Sequence, residues 1–163
     1  MNKLNIELTA VKYAAFASEE TNCYEAIVLI DGEKAIHASN EGHGGCDYLR
    51  DLIPGSVQRL EAYAATLPPI VFHGQSLTNS AELVIGDLFA EWQMRRDMKR
   101  ALGKTVHFTR TDKAGIFLLP KAKWTSATET AIRAHLERSR TLGKILNELP
   151  EDEALAIWTA VAK

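Results

Sequence analysis

Cysteine is nearly missing from this chain: Cys23 and Cys46 are the only two among 163 residues. Two thiols cannot build the cross-linked framework of a small secreted domain, and their scarcity suits a reducing compartment. Long apolar runs are absent too. No window approaches the roughly 18 consecutive apolar residues that a membrane helix needs. Met1 to Thr9 alternates polar and apolar, without the apolar stretch or cleavage site of a secretory leader. The expectation is a cytoplasmic protein with no membrane contact. There are five histidines but no Gly-x-Ser-x-Gly or His-Glu-x-x-His motif, so serine-hydrolase and zinc-protease signatures are excluded. Internal repeats, low-complexity tracts and linkers are missing as well.

The composition that remains, 46% hydrophobic and 25% charged, is that of one soluble globular domain over residues 1–163 with a single core. The predicted fold class is α+β: an N-terminal antiparallel β-meander, a central long helix, a second β-hairpin and C-terminal helices. Asn5 to Thr9 alternates, and Val11 to Phe16 is β-prone. Tyr24 to Ile30 is the clearest strand, and Asp31-Gly32 is a strong two-residue hairpin turn because both positions tolerate positive φ. Lys34 to Ser39 returns as a third strand, with the N-terminal strand as a partner in the meander. A short helix is expected from Asp47, and a second from Ser56, as cap, to Leu67 before Pro68-Pro69. Asn79 with Glu82 reads as a capping box opening a helix to Leu102, which Gly103 stops. Thr105–Arg110 and Gly115–Leu119 form the second hairpin. Ser126 with Glu129 opens a helix to about Gly143. Pro150 starts a last helix, docked by Leu155, Trp158 and Val161.

Candidate chemistry is sparse. Cys23, His37, His43 and Cys46 are a zinc set by residue type. With Asp31-Gly32 as a two-residue turn, Cys23 falls opposite Asn40 and His37 opposite Ala26, on the other face of the sheet. That leaves Cys23, His43 and Cys46, with Asp47 as a fourth, and no Cys-x-x-Cys knuckle. No metal and no cofactor is therefore expected, and the cysteines are expected as small buried residues. Gly42-His43-Gly44-Gly45 lies where phosphate cradles occur but lacks the Lys-Ser/Thr of a P-loop. Its glycines are expected to serve backbone geometry, with at least one at positive φ. Cys46 activated by His43 lacks an orienting third group. No catalytic residue is assigned.

Charge is unevenly distributed. Residues 1–93 carry five basic groups against thirteen acidic ones, a net of −8; residues 94–123 carry nine against two, a net of +7; residues 124–163 add −1. Two readings follow: the oppositely charged parts pack and neutralise each other, or the basic part is a binding surface. On the long helix Val84, Ile85, Leu88, Phe89 and Trp92 form one stripe at about 100° per residue. Its continuation is Arg95, Arg96 and Lys99, while Met94, Met98, Ala101 and Leu102 lie on another side. The candidate partner-binding set is Trp92, Arg95, Arg96, Lys99, Arg100, Lys104 and Arg110. Nucleic-acid phosphates or an acidic protein surface would suit it. Aromatic interleaving is thin, with Trp92, Phe108 and Trp124, which argues against single-strand stacking.

Three stretches, Lys12 to Ala26, Ser39 to Asp47 and Ile145 to Leu155, resemble a group of small hypothetical proteins of phage, prophage and plasmid genomes. The resemblance implies a mobile element in a bacterial host and, by class analogy, an inhibitor of host defence such as restriction or CRISPR complexes. The expected partner is a host protein or nucleoprotein complex. The alternatives are a nucleic-acid-binding regulator using the same basic residues, and a small enzyme or metal site at the glycine loop.

Overall fold

A computed structural model of the chain describes residues 3–72, 75–121, 125–138 and 140–161. His73, Lys123 and Trp124 lie outside the described residues. The fold class is α+β. The chain divides into two compact units, 1–92 and 93–163, each with its own cluster of buried apolar side chains.

The first unit is built on an antiparallel sheet in the order β1-β2-β3-β4: β1 (Ile6–Tyr13), β2 (Tyr24–Ile30), β3 (Glu33–Asn40) and β4 (Tyr48–Asp51). Alternation puts Tyr24, Ala26, Val28 and Ile30 on the inner face. Asp31 and Gly32 both adopt positive φ, as the tight hairpin demands, and Ile30 pairs with Glu33. β3 lies between β2 and β4 and does not pair with β1. Two details correct the sequence reading. A bulge at Ala35 shifts the register by one, so Tyr24 faces Asn40 and His37 faces Ile27. Residues 48–51 form β4 rather than a helix. The Asp51 carboxylate at its end accepts from Gly55 N (2.9 Å) and Val57 N (2.7 Å). It thereby supplies the cap of α1 (Ser56–Ala64) that Ser56, itself buried, does not. β5 (Ile70–Phe72) and β6 (Gln75–Leu77) form a separate two-stranded sheet.

The long helix α2 spans Ala81–Lys104. Its side-chain cap is Ser80, whose Oγ accepts from Leu83 N at 3.2 Å; Asn79 instead donates to the Pro68 carbonyl. Gly103 lies within its last turn. In the second unit a sheet in the order β8-β7-β9 joins β7 (Thr105–Arg110), β8 (Ile116–Pro120) and β9 (Leu142–Ile145). Helix α3 (Ser126–Arg138) ends well before Gly143, and its reciprocal cap is Thr125 with Thr128. The last helix, α4 (Glu151–Val161), follows Pro150 as expected. Leu155 is buried and Trp158 packs beside it, but Val161 is exposed. Asn147 ties this unit together. Its Oδ1 accepts from His107 N (2.8 Å), and its Nδ2 donates to the carbonyls of Leu102 (2.9 Å) and Thr105 (3.0 Å).

Candidate functional site

The glycine loop is occupied with its own structure. Asn40, buried at the end of β3, accepts through Oδ1 from Gly42 N (2.9 Å) and the Thr21 hydroxyl (2.7 Å). Its Nδ2 donates to Asp47 Oδ1 (3.0 Å) and to the Gly45 carbonyl (3.3 Å). The Tyr24 hydroxyl donates to the Asp47 carboxylate, and Asp47 N donates to Glu82 Oε1 at 2.9 Å. Burial first, then the hydrogen bond and charge of Asp47 and the charge of Glu82, push the Tyr24 hydroxyl far above its ordinary value. The Gly42 carbonyl accepts from Glu19, Glu20 and Thr21 amides.

Gly42, Gly44 and Gly45 all have positive φ, as expected. At Gly42 a Cβ would also collide with the Ala17 carbonyl and the Cys23 side chain. The Gly42 and Gly44 amides donate to Asn40 and Thr21, so neither is presented to an anion. Glu20, Asp47, Glu82 and Asp87 line the adjoining cleft of about 500 Å³, which repels phosphate. Both observations oppose a phosphate cradle.

The cysteines are not a buried pair: Cys23 is half-buried and Cys46 exposed. His43 Nδ1 lies 3.3 Å from a Glu19 carboxylate oxygen. The register shift at Ala35 sets His37 opposite Ile27 rather than Ala26, which removes the parity argument against pairing it with Cys23, just ahead of β2. Separation still keeps them apart, because Cys23 is four residues from Ile27, the cross-strand partner of His37, about 13 Å along the strand. Among the described residues no group of three His, Cys, Asp or Glu side chains is placed to hold a metal.

The seven residues of the basic set differ in their surroundings. Trp92 is half-buried in the first unit, stacked on Phe89 (5.6 Å between ring centres) and edge-on to Tyr13 (6.4 Å). Arg95 and Lys99 turn toward the start of α4. Arg95 reaches Asp152 at 2.7 Å and Glu151 at 3.3 Å, and Lys99 reaches Glu151 at 2.9 Å. These contacts, Lys99 foremost, hold the Glu151 carboxyl below the ordinary glutamate value. Arg110 is paired with Asp112 (2.7 Å) and lies 5.5 Å from the Phe117 ring centre. Arg96 is half-buried. Arg100 and Lys104, one helical turn apart, are exposed, and neither has an ion-pair partner among the described residues.

Beside them the second unit holds a cleft of about 550 Å³ that sequence reasoning missed. Met98, Leu102, Val106, Ile145, Leu146 and Ala154 provide its apolar lining, and Lys99, Lys121, Glu148 and Glu151 its charged groups. The available signal was Met98 and Leu102, apolar at i and i+4 on the side of α2 away from the Trp92 stripe.

No protein-family model, no curated protein and no solved structure matches the chain.

Proposed function

We propose that the chain is a non-enzymatic binding protein that engages and inhibits a host macromolecule, through the cationic surface of its second unit. The observation that carries this reading is the pair Arg100 and Lys104, exposed on the last turns of α2 in a unit with fourteen basic groups against eight acidic ones, a net of +6. A surplus of that size attracts an acidic surface and accelerates encounter with it. The resemblance of three stretches to proteins of mobile elements supplies the setting, a bacterial defence complex as target.

Arg100→Glu with Lys104→Glu is the informative variant, because reversal of Lys99 would also set a carboxylate against Glu151. In pull-downs from bacterial lysate, the wild-type chain retains a host protein after nuclease treatment, and the double variant loses it while keeping its melting temperature. Capture also weakens with added salt, since screening shortens to about 8 Å at physiological ionic strength. Recovery only in the presence of nucleic acid replaces the inhibitor by a nucleic-acid-binding regulator. Undiminished capture by a folded double variant removes this surface from the function.

A further inference from the structure

We infer that the cleft formed by the last turns of α2, β9 with the turn after it, and the first turn of α4 binds an amphipathic organic anion: an apolar body carrying one carboxylate or sulfonate. The inference goes beyond the macromolecular contact proposed above and does not depend on it.

The size and the lining come first. A volume of about 550 Å³ falls within the roughly 300–1,000 Å³ typical of small-molecule sites. Met98, Leu146 and Ala154 are each about 1% exposed, so the floor is fixed core rather than mobile surface. Asn147, the polar side chain deepest in this wall, has both ends of its amide engaged with backbone partners. It holds the wall and offers no strong new bond. Selection therefore falls to apolar contact and to the charges at the mouth.

Those charges are not balanced in effect. Glu151 is already neutralised by Lys99 and Arg95. Glu148 takes the guanidinium of Arg133, which also holds Glu129 at 2.9 Å. Lys121 is exposed and has no ion-pair partner among the described residues. Among the described residues both carboxylates are thus engaged while one ammonium is not, and a ligand anion complements the mouth. Gly103 adds access: it lines the cleft, and a Cβ built there meets nothing within 4 Å. The same opening makes Gly103→Leu a filling substitution that the helix tolerates.

The test titrates the intact chain with 8-anilinonaphthalene-1-sulfonate, which carries the proposed chemistry, and with its uncharged relative N-phenyl-1-naphthylamine. Near-UV circular dichroism verifies native packing throughout, because the sulfonate dye also reports loosened cores. Saturable, blue-shifted emission at one site per chain is expected. Gly103→Leu weakens binding of both dyes by roughly tenfold or more, and Lys121→Glu weakens the sulfonate alone by a similar factor. Arg100→Glu with Lys104→Glu leaves dye binding in place, which separates this site from the macromolecular surface. Absence of saturable binding to the native chain overturns the inference. So does unchanged sulfonate affinity in Gly103→Leu or in Lys121→Glu.

Discussion

Two sets of polar side chains, one in each unit, do different work. In the first, with a net charge of −8 over residues 1–92, Asn40, Tyr24, Asp47 and Thr21 turn inward and satisfy one another at the end of the sheet. In the second, at +6, several of the described ion pairs have at least one well-exposed member. Asp152 opposite Arg95 is 84% exposed, and Lys99 opposite Glu151 is 61% exposed. A buried network is costly to disturb, because a stranded donor or acceptor forfeits about 1–3 kcal/mol. An exposed ion pair contributes about 0–1 kcal/mol and yields readily to another partner. The comparison separates groups that hold the fold from groups available for encounter, even though both sets look equally functional in a residue count.

The largest effect is expected at Gly42. Gly42→Val combines a strained positive φ with collision against the Ala17 carbonyl and Cys23. It should cost at least about 3 kcal/mol in denaturant unfolding. Gly45→Ala, at similar φ but in open space, should cost only about 1 kcal/mol. Equal costs would show that the loop is not tied down by close approach.

His107 tests the contrast from the other side, as a buried titratable group in the second unit. Its ring packs 5.3 Å from that of Trp158, and desolvation holds its pKa below the ordinary imidazole value. The unfolded chain then binds a proton more readily than the folded one. Its contribution is complete above about pH 6.5, the unfolded value, and is lost as pH falls below that. Wild-type stability should drop between neutral and mildly acidic pH, and His107→Leu should flatten that drop. An unchanged profile would mean that the imidazole is open to water.

Glu151→Gln should have the smallest effect, below about 1 kcal/mol, because Arg95 retains Asp152. The glutamate pKa is depressed, so the pair's contribution is present above the ordinary glutamate value and fades as pH falls through it. A melting temperature that moves as far as that of Gly42→Val would break the distinction between the units.

Much of the fold was legible because local chemistry determined it. Asp31-Gly32 accepts the two positive φ values of a tight turn, and the alternation of Tyr24 to Ile30 fits one buried face. The α2 apolar stripe is long enough to be unambiguous. The misses were short or relational. Tyr48–Asp51 becomes a strand because β3 offers an edge, not because four residues prefer it. Leu142–Ile145 contains a glycine, since a side chain at 143 would strike Thr109, a need visible only after β9 lies against β7. The Ala35 bulge left no mark in the sequence, as alanine fits either face. For the candidate surface, helical spacing correctly grouped Arg95 and Lys99. It could not reveal that their counterions lie more than fifty residues later, at the start of α4.

The strand order also sets a timetable for synthesis. Every pairing in the first sheet joins neighbours in the chain, so the β1 to β4 ladder needs no residue beyond 51, although Leu60, Ala81, Ile85 and Phe89 complete its core later. Sheets with such local pairing close small loops and fold quickly. β7 must wait for β9, whose Leu142 pairs with Arg110 only after α3 has been made. For that interval β7 has an unpaired edge next to a half-built apolar cluster, which is the condition that invites chaperone capture and aggregation.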